Sequence, residues 1–284
     1  MNNIDIIKTD EYLKKFIEKN NLSDEYVNAH MGTFTRAYNS RIKCRNCLGL
    51  HECKQDGTGK RLDLSYDGVL IDEIEYCNFA LARLTKQKLA NKYVHCDVPS
   101  DLMNVDLSNI NLTDEQKPLF TVLYDIFEGK RKRGLYIAGD LGVGKTYLCI
   151  ALCNSLAKNN ESVAFVKVAN FFNEMKSYIG ANNQMIDTKI SSLKKAKYLV
   201  LDDIGSESVS EFVRDDILFP ILDYRLENKL TTIFTSNLNK GDLFVHYQYD
   251  RKEKANAMSA KRLIERVDIL SETFVLSGNN MRRE

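Results

Sequence analysis

The sequence predicts an α/β fold in which a parallel sheet is covered by helices on both faces and preceded by a small, mainly helical domain. Three observations predict it. Beyond residue 113, short apolar runs alternate with stretches of helical period, as parallel strands joined by helical crossovers require. The glycine-rich stretch "GDLGVGKT", residues 139–146, lies between the apolar run 135–138 and the helical "YLCIALCNSLAK". Before residue 95 the apolar positions recur at helical spacing on either side of a polar piece that carries four of the seven cysteines.

Taken in order, Ile4, Ile7, Leu13, Phe16 and Ile17, then Tyr26, Val27, Phe34 and Tyr38, predict two helices between residue 4 and about residue 40. Residues 44–77 read as irregular, and "FALARLTKQKLANKYV" after them as helix. The segment "HCDVPSDLMNVDLSNINLTDEQKP" holds two of the three prolines among many Asn, Asp and Ser residues. It places a domain at 1–95, a linker at 96–113 and a second domain at 114–284. In the second domain strands are expected near 135–138, 163–168, 198–202 and 231–236, with helices near 145–158, 170–180 and 211–227. Internal repeats and low-complexity tracts are absent.

Composition sets bounds. With 44% apolar residues in 284 the chain has material for a real core. No apolar run nears the roughly 18 residues of a membrane span, and the opening "MNNIDIIKTDEYLKKFIEKN" is too charged for a signal peptide, so a cytoplasmic protein without membrane contact is expected. A net charge of +1 neither announces nor excludes a nucleic-acid partner. The basic turn "GKRKRG", 129–134, reads as a solvated loop before a strand.

The pattern G-x-x-x-x-G-K-T carries the chemistry. Gly139, Gly142 and Gly144 let the backbone curl so that the N–H groups of Asp140, Leu141 and Val143 and their neighbours face a phosphate, helped by the helix dipole. Lys145 is positioned for the β/γ-phosphates and Thr146 for Mg²⁺. The apolar "KYLVLDDIG" delivers Asp202, a carboxylate for Mg²⁺ opposite Thr146, and Asp203, which orients the attacking water. "TTIFTSN" delivers Asn237, whose amide suits the γ-phosphate and that water. A rival spelling exists: 202–205 fits D-x-x-G, 239–242 fits N-K-x-D and 259–261 fits S-A-K, the set of a GTPase. That sheet needs another strand within 206–230, where only helical "SEFVRDDILFPILDYRLEN" stands, so the guanine motifs are taken as coincidence.

Cys44 and Cys47 form C-x-x-C, with Cys53 and Cys77 following; four thiolates of this kind suit tetrahedral Zn²⁺, with His51 the rival for one position. A redox C-x-x-C would need a βαβ context that this segment lacks. Cys149 and Cys153, four apart on the helix after the phosphate loop, read as core.

These residues bring a family into view. Through "CRNC…C…EYC", "GDLGVGKT", "YLVLDDIGSESVSEFVRDDIL", "TSN", "AKRLIERV" and "GNNMRR" the chain resembles, over nearly its whole length, the DnaI/DnaC-type replicative helicase loaders of the AAA+ ATPases, and within them the DnaI branch. The resemblance implies an AAA+ phosphate-loop core that binds and hydrolyses ATP with Mg²⁺ and self-associates. It further implies an N-terminal zinc domain that grips a hexameric replicative helicase, and contact with single-stranded DNA. It makes Arg266 the arginine finger for a neighbouring ATP site, with Arg262 one turn away, and Arg282 the sensor arginine beside the nucleotide. Lys176 and Tyr178 match or adjoin positions that touch single strands. Two departures stand out: 54–76 contains no histidine, which favours an all-cysteine metal site, and only 47 residues follow Asn237, too few for a full helical lid. A zinc-bearing ATPase of another DNA transaction, such as a transposition helper, shares this core and is the second reading.

Overall fold

The computed structural model describes residues 3–249 and 256–281. The chain forms two compact units, Met1–Gln87 and Lys88–Glu284.

The first unit opens with four short helices, α1 (Asn3–Ile7), α2 (Glu11–Lys19), α3 (Asp24–Ala29) and α4 (Met31–Lys43). Two had been expected. One extra break, before α2, is made by a polar side chain that captures a free helix-end N–H group, Asp10 Oδ1 accepting from Leu13 N at 3.2 Å; Ser23 Oγ, accepting from Tyr26 N at 3.2 Å, makes the expected break before α3, and the other extra break falls at His30, which offers no side-chain cap. Ile4, Ile7, Leu13, Ile17, Val27 and Phe34 meet in one core with Leu64. Leu64 belongs to an antiparallel hairpin, β1 (Lys60–Tyr66) and β2 (Leu70–Tyr76), turned at Gly68 with φ 79°. Residues 44–77 are therefore not wholly irregular, since both strands lie within them. Then α5 (Asn78–Ala90) follows, and the division between units falls within it.

The second unit begins earlier than the composition placed it. β3 (Tyr93–Cys96) already pairs with the main sheet, where a helix had been read. Residues 96–113, expected as a linker, begin at the end of β3 and are stitched to this unit: Asn154 Nδ2 donates to Leu102 O at 2.9 Å and Val105 O at 2.7 Å, and Leu107 N donates to Ser155 Oγ at 2.9 Å. Next come α6 (Lys117–Phe127), β4 (Gly134–Ala138), α7 (Lys145–Lys158), β5 (Val163–Lys167), α8 (Val168–Tyr178), α9 (Asn183–Lys195) and β6 (Tyr198–Asp202). A π turn, Phe212–Leu218, leads into α10 (Phe219–Glu227), followed by β7 (Thr231–Ser236), α11 (Lys240–Gln248), α12 (Ala257–Leu270) and β8 (Ser271–Val275).

The sheet is parallel throughout, in the order β3-β5-β6-β7-β4-β8. Alternate residues of each strand serve opposite faces. Leu135 and Ile137 join α6 and α7 in one core, while Tyr136 and Ala138 join α8 to α12 in the other. Cys149 and Cys153 are fully buried in the first of these. Helices thus cover both faces, and the phosphate-loop strand β4 lies inside the sheet, separated from β6 by β7.

Candidate functional site

The carboxyl ends of β4, β5, β6 and β7 open into a cavity of about 440 Å³ lined by Gly142, Gly144, Lys145, Thr146, Lys167, Asp202, Asp203, Thr235 and Asn237, among others. Residues from four separate stretches of sequence converge here because parallel strands end together.

Residues 139–146 wrap the start of α7. Gly142 and Gly144 take φ of 84° and 99°, a region that penalises a side chain. A Cβ on Gly142 would also lie 2.0 Å from Asn280 Oδ1, and one on Gly144 2.3 Å from Gln116 Nε2. The close neighbours brace the loop: Gln116 Nε2 donates to Val143 O at 2.9 Å, and Met281 N donates to Gly142 O at 3.2 Å. Gln116 is itself buried and fixed by a capping box with Thr113.

Lys145 is 7% exposed, and its ammonium donates to Gly139 O at 2.6 Å, Asp140 O at 2.8 Å and Asn237 Oδ1 at 2.8 Å. Asn237 turns its other amide atom to the acidic pair, Nδ2 donating to Asp203 Oδ1 at 3.0 Å. One side chain thus joins the phosphate-loop lysine to the strand-end carboxylate. Asp202 Oδ1 accepts from Thr146 Oγ1 at 2.8 Å and from Thr235 Oγ1 at 2.7 Å. Burial pushes its carboxyl above the usual range, the two hydroxyl donors pull the other way, and the neighbouring Asp203 adds to the rise. Asp203 is held at φ 60° by its N–H, which donates to Thr235 Oγ1 at 2.8 Å. A strained backbone at a non-glycine residue marks a position that its surroundings dictate.

Lys145, Thr146, Asp202, Asp203 and Asn237 therefore meet as the sequence suggested. Thr235, Gln116 and Lys167 were not foreseen. Thr235 stands two residues before Asn237 on an inward-facing position of β7, which period-two reasoning along "TTIFTSN" could have found; Gln116 is recognisable only once the chain has folded back.

Other expected residues lie elsewhere. Arg266 is not in the cavity lining: its Nε donates to Asp223 at 3.0 Å, its Nη1 to Glu265 at 3.1 Å, and it lies 5.0 Å from the Phe219 ring centre, which Arg262 also covers at 4.5 Å. Lys176 Nζ reaches Ser208 O at 3.4 Å, and Tyr178 donates its hydroxyl to Glu174 at 2.9 Å. Arg282 lies outside the described residues.

In the first unit Cys44, Cys47, Cys53 and Cys77 line one cavity of about 180 Å³. Gln55 Nε2 donates to Cys44 Sγ at 3.1 Å, Gly59 N to Cys53 Sγ at 3.2 Å, and Cys77 N to Gly59 O at 2.8 Å. His51 does not line this cavity and is exposed beside Glu52. Among the described residues, no group of three or more His, Cys, Asp or Glu side chains is arranged to hold a metal ion. No helix among them is long and apolar enough to cross a membrane.

Residues 117–283 match the family model of the IstB-like ATP-binding proteins. The replicative helicase loader DnaI of Bacillus subtilis (strain 168) is 27% identical over 97% of this chain and 91% of its own length. A crystal structure of DnaI superimposes with a TM-score of 0.55 at 32% identity, covering 68% of this chain and 98% of that one. A putative primosome component from Streptococcus pyogenes serotype M3 does so with 0.53 at 29% identity, covering 69% and 98%.

Proposed function

The chain belongs to the family of IstB-like ATP-binding proteins, and on that premise we propose that it is a replicative helicase loader: an ATPase whose nucleotide cycle times the placing of a hexameric helicase on single-stranded DNA. One observation carries the loader reading over that of a transposition helper. The likeness to the Bacillus subtilis loader runs over 97% of the chain, so it takes in the cysteine-bearing first unit as well as the nucleotide core.

In this reading the N–H groups of residues 139–146 cradle the phosphates and Lys145 turns from the loop carbonyls to the β/γ-phosphates. Thr146 and Asp202, already hydrogen-bonded to each other, are the residues that would hold Mg²⁺, which when bound neutralises charge building on the phosphates. Asp203 polarises the attacking water, and Asn237, linked to both Lys145 and Asp203, senses whether a γ-phosphate is present. Arg282 contacts the nucleotide as sensor, and Arg266 reaches a neighbouring subunit's γ-phosphate, which requires self-association. Lys176 and Tyr178 supply a cation and a stacking ring for sequence-blind binding of single strands. The first unit engages the helicase. Its four cysteines share one cavity and have the donor chemistry of structural Zn²⁺, which supports the zinc reading, although no three of them are arranged around a common ion.

Adenine is favoured over guanine by two features. β7 separates β4 from β6, and the would-be guanine-reading pair is committed to a helix cap: Asn239 Oδ1 accepts from Asp242 N at 2.9 Å, and its Nδ2 donates to Asp242 Oδ2 at 2.6 Å. A competition titration tests the assignment. ATP displaces a fluorescent nucleotide at lower concentration than GTP, Lys145→Ala binds neither, and Asp203→Asn binds ATP without hydrolysing it; GTP binding as tightly as ATP would overturn it.

A further inference from the structure

The nucleotide reading employs every charged side chain of the cavity at the strand ends except Lys167. This residue ends β5 and lines the cavity. Its register partner on β6 is Asp202, so the two side chains leave neighbouring strands, about 4.8 Å apart, toward the same face. The strand end is held from the edge of the sheet as well: Lys167 N donates to Asp97 Oδ2 at 2.9 Å, His95 Nε2 lies 3.1 Å from the same oxygen, and Asp97 N donates to Phe165 O at 3.0 Å.

A charge count gives the placement a consequence. The ionic side chains lining the cavity are Lys145 and Lys167 against Asp202 and Asp203. Without Lys167 a single ammonium, with the Mg²⁺ that Thr146 and Asp202 would hold for either nucleotide, faces two carboxylates together with the phosphates. A nucleotide held at residues 139–146 by its β-phosphate carries only its terminal phosphate toward that acidic pair, and a diphosphate does not extend so far. We propose that Lys167 is a second cation of the nucleotide site, one that offsets the repulsion between the acidic pair and the terminal phosphate and so sets the preference for nucleoside triphosphate over diphosphate. The proposal rests on the nucleotide reading given above.

Calorimetric titration of the full chain with ADP and with a non-hydrolysable ATP analogue, both with excess Mg²⁺, tests it. Lys167→Ala, and Lys167→Met, which keeps the aliphatic stem, bind the analogue about tenfold more weakly and ADP within about twofold of wild type, whereas Lys167→Arg stays close to wild type for both. Unchanged ADP binding also shows that the site has kept its fold. Equal losses for the two nucleotides, or no loss for either, overturn the proposal. Lys145→Ala separates the two levels of the argument. If it loses both nucleotides, the phosphate-loop reading stands and the Lys167 variants decide; if it binds both like wild type, that reading fails and the role of Lys167 fails with it.

Discussion

Arg266 rests against Asp223 and Glu265 with the Phe219 ring beneath it. Both ion pairs are partly exposed, and such pairs are worth at most about 1 kcal/mol, so the contacts leave the guanidinium available to a neighbouring subunit. Arg266→Ala therefore folds and binds ATP, while its hydrolysis falls on the order of 10³-fold, the lower end for a lost arginine finger. Mixed with Lys145→Ala it regains activity, because one mixed interface then has an intact pocket and an intact arginine. ATPase assays of the mixture check this: if no recovery occurs where wild type assembles and hydrolyses, Arg266 is only a surface ion-pair residue, and recovery with Arg262→Ala instead transfers the role to Arg262. Lys145, Thr146, Asp202, Asp203 and Asn237 were legible in the sequence because each stands at the end of a strand or loop with a recognisable pattern. Lys167 was not, since a lysine closing an apolar run reads as an ordinary solvated strand end until the register sets it beside Asp202.

The central strands β4, β6 and β7 are buried along their whole length; apolar runs announced β4 and β6, and the β-branched "TTIFT" announced β7. The two edges, β3 and β8, were missed for the converse reason: each is partly exposed, so neither needs an apolar run. The end of α9 shows a different device. Arg225, fully buried on α10, donates to Leu193 O at 2.9 Å, Ala196 O at 2.6 Å, Thr231 O at 2.7 Å and Thr232 Oγ1 at 2.8 Å, so that one fork ties the end of α9 to the start of β7. Removing it strands several buried acceptors at once, and Arg225→Ala loses about 3 kcal/mol of stability in denaturant titration of the whole chain; a loss under about 1 kcal/mol contradicts this role. In the proposed reading the cysteine turns before the hairpin β1–β2 are stapled by Zn²⁺. Zinc binding by thiolates is coupled to folding and worth on the order of 10 kcal/mol, so protein purified without chelator contains one zinc per chain, and Cys44→Ser unfolds residues 40–80 while nucleotide binding persists. Metal analysis that finds no zinc removes the ion from the account.

For the whole molecule, the division into two units gives the functional proposal its form, with the cysteine-bearing unit assigned to the helicase and the sheet-bearing unit to ATP and DNA. The two tasks are coupled only if nucleotide in the second unit governs what becomes of the helicase held by the first. Loading onto a closed circle of single-stranded DNA measures that coupling directly, since a circle offers no end over which a helicase ring can thread. The replicative helicase encoded in the same genome is incubated with the circle, with and without this chain and ATP, and the rings that remain on the DNA after a high-salt wash are counted. The account predicts that retained helicase rises severalfold with the chain and ATP together, and that Lys145→Ala abolishes the gain. Retention that is the same with the chain as without it, under conditions where the helicase ring is intact, would contradict the account.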